Sequence, residues 1–347
     1  MLLDRPFSVK KMGRPNCYKF GKGFVFLMGK NGKKIDVIVL NSHGVGQICH
    51  VKRLPRRGET MEATHWRVEE DGGKGATVSV ALGRLGVSTG YIGKVGYDPW
   101  GDMGDQWMSE SGVDTTFMYR DHSVSTGTGL IMVDEDGLNT IVDGDSACAA
   151  LTWDETHAAI EAMKEAQVFI TGFGMPFRKA LDGAKIAKEE FGMLTLCNTS
   201  PLPSEPMGDL SYLDFIVLND IEARVLCGLP EDSDKPYEQM LRQIRDEYHT
   251  RGVIMTCGED GSAVLDGDEF WTVAPTPVKA VDTIGAGDGY LAAVAAGLVW
   301  GKSLKEATQW ASKYAAYKVT RKGSMTRKPG MGYPELAEVE AFMEAHP

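Results

Sequence analysis

The sequence predicts an α/β fold: a mainly parallel sheet with helices on both faces. Three observations predict it. From Ile35 onward, short β-branched runs alternate with segments whose apolar residues recur at helical spacing, the pattern of strand–helix–strand crossovers. The first run, IDVIVL at 35–40, ends in four consecutive apolar residues, as a strand covered on both faces requires. Two glycine-rich turns, at 72–75 and 282–288, each open directly into an apolar helix.

The elements follow in order. GATVSVALGRLG (75–86) has helical apolar spacing, STGYIG (88–93) reads as a strand, and PWGDMGDQWMSESG (99–112) reads as a helix closed by Gly112. AQVFITG (166–172) is a strand, FRKALDGAKIAKEE (177–190) a helix and MLTLCN (193–198) a strand. DFIVLN (214–219) is a strand followed by the helical IEARVLCG, and GVIMTCG (252–258) follows a helix around Tyr237–His249. Residues 44–70 and 117–143 break the alternation and read as β-structure without helices. Within them TGLIMVDEDGLNTIV (128–142) has the form of a hairpin about Asp136-Gly137. These stretches are expected to pair into a small sheet covering a cleft. After Ala286 the chain reads as mostly helical.

The 347 residues suffice for one large α/β domain or two medium ones, and 43% apolar content supplies a core. A net charge of -11 disfavours a nucleic-acid partner, which needs a basic face. It leaves an anionic small molecule open. Six cysteines without a C-x-x-C pair read as buried free thiols in a reducing cytoplasm. No apolar run reaches about 18 residues, so no membrane span is expected. Residues 1–34 hold nine Lys or Arg and one acidic residue, Asp4. A disordered arm, an ordered extension and residues upstream of a start at Met28 all fit this segment. It is taken as an extension peripheral to the chemistry, with the main domain at 35–347.

The strongest local signal is VDTIGAGDGYLAAVAAGLVWG (281–301). Glycines at 285 and 287 let backbone approach a ligand closely. The amides at the start of the following helix then point at that ligand, where the helix dipole favours negative charge. Asp288 stands at the edge of this anion hole, able to accept a proton from a hydroxyl. An N-capped helix start would show the same residues. A second loop, Gly72-Gly73-Lys74-Gly75, opens another helix about 210 residues upstream. Its Lys is not followed by Ser or Thr, so it is no Walker A loop.

Together, GGKGATVSVALGRLGVSTGYIGKVGYDPWG (72–101) and VDTIGAGDGYLAAVAAG (281–297) resemble the two signature regions of the ribokinase-like (PfkB) carbohydrate kinases. LPRRGE (54–59), STGTGLIMVDEDGLNTIV, LNDIE (218–222), TCGEDG (256–261) and VTRKGS (319–324) continue the resemblance in order. It implies a ribokinase-like three-layer α/β/α sandwich with a small β-sheet lid formed by about 44–70 and 117–143, and a homodimer through that lid. It implies ATP as phosphoryl donor, with Asp288 as the base and Gly285, Ala286 and Gly287 around the phosphoryl oxygens. Asn219 and Glu222 would organise Mg²⁺ through water, and Thr256, Gly258 and Gly261 would line the nucleotide pocket. Gly72, Gly73 and Lys74 would sit against the acceptor. Asp282, Ile284 and Gly323 match the positions whose carbonyls bind K⁺ in many relatives.

The chain departs from the ribose-type pattern at the acceptor side. Gly44 and Gly46 stand where Asn and Asp would grip sugar hydroxyls, Thr77 replaces an Asn, and Gly174 stands in place of a Glu. A buried hydroxyl left without a partner costs about 1–3 kcal/mol, so ribose is expected to be a poor acceptor. A bulkier acceptor, or one held by His43, Gln47, Lys74, Thr77 and Asn198, fits better. An anionic acceptor would need Arg120, Arg178 or Lys179 as helpers. A nucleoside kinase of the same fold is the alternative, and a non-catalytic sugar sensor a further one. The seven histidines show no metal-ligand spacing.

Overall fold

The computed structural model describes residues 17–20, 23–26, 34–68, 72–136 and 138–346. Most of the expected extension at 1–34, including Met28, and Gly137 of the expected turn lie outside them. Strands β1 (Cys17–Phe20) and β2 (Gly23–Phe26) form an antiparallel pair of their own.

The central sheet joins nine strands: β3 (Val37–Leu40), β6 (Thr89–Gly96), β7 (Asp114–Asp121), β10 (Val168–Gly172), β11 (Leu194–Asn198), β12 (Phe215–Asn219), β13 (Gly252–Thr256), β14 (Ser262–Asp266) and β15 (Glu269–Val273). Their spatial order is β15-β14-β13-β12-β11-β10-β3-β6-β7. All pairings are parallel except β13–β14 and β14–β15. The unbroken apolar runs have the predicted cause. Val37 and Val39 enter one core and Ile38 and Leu40 the other, because successive strand residues face opposite sides and both sides are covered.

Helices α1 (Gly73–Arg84), α2 (Pro99–Glu110), α7 (Ala286–Val299), α8 (Leu304–Val319) and α9 (Leu336–Ala345) contribute to the first core. Helices α3 (Trp153–Ala162), α4 (Phe177–Glu189), α5 (Asp220–Leu226) and α6 (Tyr237–Tyr248) contribute to the second. Helix α7 is buried from Gly289 to Gly297, and its run of small residues lets α1 and α8 pack against it. No described helix is long and apolar enough to cross a membrane. Cys49, Cys148, Cys197 and Cys257 are buried free thiols and Cys227 is half-buried.

A separate four-stranded sheet, ordered β5-β4-β8-β9, consists of β4 (Gly44–His50), β5 (Thr64–Val68), β8 (Gly127–Val133) and β9 (Asn139–Asp143). The expected lid at 117–143 therefore starts too early. Residues 117–121 belong to β7, which pairs parallel with β6 in the main sheet; α2 is the crossover that makes this geometry possible. The β8–β9 hairpin forms as predicted.

Candidate active site

The parallel strands aim their carboxyl ends at one edge of the sheet. At β3 and β10 the strand order turns back on itself, the place where open α/β sheets form a crevice. Asn198, Asn219 and Thr256, the last residues of β11, β12 and β13, line a cavity on this edge. Val217, Leu218, Lys74, Ser200, Glu222, Thr283 and residues Gly285 to Asp288 complete it.

Gly285 is the left-handed cap of α7, with φ 72°. A Cβ there would also lie 2.6 Å from Tyr333 Oη. The Gly285 carbonyl accepts from Tyr333 Oη at 2.9 Å and from the Gly289 amide at 2.9 Å. Among the described residues, the amides of Gly285, Gly287 and Asp288 donate to no protein acceptor. These are orphan donors of a helix start, facing a cavity, and they suit an anion. Ala286, expected as a further donor, is a correction: its amide closes a turn onto the Thr283 carbonyl at 3.1 Å. A Cβ on Gly287 would meet nothing within 4 Å.

Asp288 lies one residue further along. Thr77 Oγ1, on α1 and 211 residues away, donates to its Oδ2 at 3.0 Å. The same hydroxyl is 3.0 Å from the carbonyls of Gly73 and Lys74. It carries one proton, and an ionised carboxylate is the strongest acceptor in reach. Burial raises the Asp288 pKa above the usual carboxylate range, while Lys74, Thr77 and Lys318 draw it down. A carboxylate kept basic by burial, beside orphan amides, can accept a hydroxyl proton while the amides hold an oxyanion. Thr77, expected against the acceptor, is 1% exposed and bonds Asp288. Its place is behind the carboxylate.

The other acceptor-side expectations divide. Lys74 and Asn198 line the cavity, and Asn198 Oδ1 accepts from the Ser200 amide at 3.0 Å. Gly72 and Gly73 instead pack on the turn after β3: the Gly72 carbonyl accepts from the Gly44 amide at 3.2 Å, and a Cβ on Gly73 would lie 3.2 Å from the Gly44 nitrogen. His43 is corrected. It is fully buried, and its ring nitrogens lie 2.9 Å from the Gly72 and Trp100 carbonyls. Burial lowers its pKa, and the ring braces the glycine loop against α2. Gln47, in the lid, accepts from Trp66 Nε1 at 3.2 Å and is not among the cavity-lining residues.

Two of the glycines that replace polar residues leave no room for a bulkier acceptor. A Cβ on Gly44 would lie 3.1 Å from the Gly127 carbonyl oxygen, and one on Gly174 would lie 2.9 Å from Asn41 Oδ1 and 3.2 Å from Ser42 Oγ. The three basic helpers are committed elsewhere. Arg120 pairs with Asp102, Arg178 with Glu205, and Lys179 donates to the Leu151 carbonyl.

Asn219 and Glu222 form a reciprocal capping box at the start of α5, with the Glu222 amide on Asn219 Oδ1 at 2.8 Å and the Asn219 amide on Glu222 Oε2 at 3.0 Å. The Asn-x-x-Glu spacing is thus itself the cap, and both residues still line the cavity. Gly258 and Gly261 sit in the turn after β13, outside the lining. A Cβ on Gly261 would be 2.1 Å from the Val273 carbonyl oxygen. Among the described residues no group of three or more His, Cys, Asp or Glu is placed to hold a metal ion. The donor set fits a Mg²⁺ ion that keeps its waters and travels with phosphates, since such an ion needs no protein cage.

The K⁺ positions do not fit a free ion. Lys318 Nζ donates to the Ile284 carbonyl and lies 3.4 Å from the Asp282 carbonyl. The Gly323 amide donates to Asp282 Oδ2 at 2.8 Å. Lys318 escaped the sequence reading, yet it has a signal. It continues the buried stripe of Leu304, Ala307, Ala311 and Tyr314 at helical spacing, where a lysine must find acceptors for its charge. Thr283, Ser200 and Tyr333 were likewise not foreseen.

The model of the pfkB family of carbohydrate kinases matches residues 45–330. The chain belongs to this family. It is therefore an ATP-dependent carbohydrate kinase with the ribokinase-like fold. The deoxyribokinase of Salmonella typhi is 29% identical over 312 residues, covering 89% of this chain and 99% of that protein. A ribokinase of Staphylococcus aureus is 27% identical, covering 84% and 96%. The structure of Arabidopsis thaliana ribokinase complexed with ribose and ATP superposes with a TM-score of 0.78 at 24% identity, covering 90% of this chain and 99% of that one.

Proposed function

We propose that this family member transfers the γ-phosphoryl group of ATP to a hydroxyl of a sugar or sugar-like acceptor other than ribose, with Asp288 as the base. One observation carries the reading: the Asp288 carboxylate, tied to α1 through Thr77, and the orphan amides at the head of α7 share one cavity. The acceptor oxygen forms a bond to the γ-phosphorus as the bond to the bridging β–γ oxygen breaks. The hydroxyl proton goes to Asp288, and the electron pair leaves on ADP. The amides of Gly285, Gly287 and Asp288 hold the phosphoryl oxygens as charge spreads over them. Asn219 and Glu222 would hold Mg²⁺ through water, where the ion offsets phosphate charge.

Lys74 and Asn198 are the cavity's polar groups on the acceptor side. With the spaces beside Gly44 and Gly174 already filled, extra bulk is not what disfavours ribose; fewer polar partners are. One relative is named a deoxyribokinase, and a sugar short of one hydroxyl suits such a cleft. Pairing of two copies would run through the lid, where Trp66 and Val142 are exposed; sedimentation of the full chain tests this.

Asp288→Asn tests the base. The fold and ATP binding are retained and kcat falls by at least about a hundredfold; activity within a few-fold of the parent would remove Asp288 from the role. A coupled ADP-release screen of pentoses, deoxypentoses, hexoses and nucleosides tests the acceptor. Ribose giving the highest kcat/KM would end that part of the reading, and a nucleoside ranking first would move the substrate class.

A further inference from the structure

Lys318 is fully buried in the last turn of α8. A lysine held there needs acceptors for its charge, and it finds them in the turn that precedes the anion hole. Its Nζ donates to the Ile284 carbonyl, with the Asp282 carbonyl at 3.4 Å. The Asp282 side chain ties the same turn from the other side, accepting from the Ile284 amide at 3.0 Å and the Gly323 amide at 2.8 Å.

The connection to chemistry runs through one peptide plane. The Ile284 carbonyl and the Gly285 amide belong to the same peptide group. A cation on that oxygen draws electron density toward it and makes the N–H on the far side a stronger donor. Gly285 N–H is one of the orphan donors. The ammonium thus sits behind the anion hole, orienting and polarising it without touching a ligand. It also holds the two carbonyls expected to coordinate a potassium ion, and a second positive charge brought to them would be repelled.

We propose that Lys318 is a built-in monovalent cation, so that this kinase assembles its anion hole without potassium. The proposal rests on the reading that the 285–288 amides bind phosphate. Lys318 is a positioning residue in this scheme.

The test uses the full chain and a non-hydrolysable ATP analogue with Mg²⁺, so it needs no acceptor. Analogue affinity and melting temperature are measured in potassium, ammonium and tetramethylammonium chloride. In the parent protein both stay the same across the three salts, affinity within about twofold. Lys318→Ala opens room for an ion: its affinity falls by at least about tenfold in tetramethylammonium, the scale of one charged hydrogen bond. Potassium or ammonium restores it and raises the melting temperature. Lys318→Met keeps the bulk of the stem without the charge, loses affinity likewise, and is not restored. Potassium tightening analogue binding to the parent about tenfold would overturn the proposal, as would a folded Lys318→Ala that no cation rescues. Should Lys318→Ala fail to fold, the parent's salt series and Lys318→Met still decide. Failure of the underlying reading looks different: Gly287→Ala would then leave analogue affinity intact in every salt.

Discussion

Replacing Thr77 by valine removes one hydroxyl and keeps the shape of the side chain. That hydroxyl is 3.0 Å from Asp288 Oδ2. The Gly73 and Lys74 carbonyls also lie 3.0 Å from it, but with its one proton directed at Asp288 these contacts contribute little stability. Burial already holds the Asp288 pKa up, and Lys74, then the Thr77 hydrogen bond, then Lys318 oppose it. Loss of the hydrogen bond to the ionised form therefore raises the pKa further. A hydrogen bond to a charged group is worth about 1.5–3 kcal/mol, and one pH unit corresponds to about 1.4 kcal/mol. The acid limb of the kcat/KM profile should move up by about 1–2 pH units. A base works when ionised, so activity rises with pH through this limb. Below it Thr77→Val is slower than the parent by roughly ten- to a hundredfold, and well above it the two converge. The assay is coupled ADP release across the pH range with the best acceptor from the screen, beside Asp288→Asn, which stays low at every pH. An acid limb in the same place, or a loss equal at all pH values, would refute the assignment of Thr77 as the residue behind the base.

Three further outcomes follow from particular contacts. Gly287→Ala adds a methyl that meets no protein atom inside a helix, so the melting temperature holds or rises while analogue binding weakens by at least about tenfold; unchanged binding would show that phosphate goes elsewhere. Asp288→Asn should raise stability as it removes activity. The folded carboxyl has the higher pKa, so the unfolded chain releases its proton first and the parent loses stability as pH rises from the unfolded to the folded value. The variant's advantage in Tm therefore grows across that window and then levels off, and thermal melts against pH read it. The lid strands β4 and β5 should gain hydrogen-exchange protection when acceptor and analogue bind together, as a closing cover excludes water; equal protection with and without ligands would count against closure.

Much of the frame was legible in the chain. Leu40, Asn198 and Asn219 end strands as their apolar runs predicted, and the run from Gly252 stops at Thr256, two residues short of the expected stretch. The turn at Gly285 enters its helix as the glycine spacing predicted. The β14–β15 hairpin went unread, although Gly267 and Asp268 between its strands are a turn signal. The edge strand β7 was assigned to the lid, since strands on either side of the 122–126 turn look alike in sequence and only their partners separate them. At the site, Asp288 and Lys74 were found from glycine loops. The roles of Thr77, His43 and Ala286 were misplaced, because a polar residue near a loop reads the same whether it faces ligand or backbone.

Spacing and residue type sufficed for most strands and helices and for the two glycine turns, since those depend on neighbours a few positions away in the chain. The resemblance of its motifs sufficed also for the family. Long-range packing alone chose that Thr77 meets Asp288 and that Lys318 meets Ile284. Those meetings depend on how α1 and α8 lie against α7, and that follows from side chains filling space across the whole core, which no local pattern encodes.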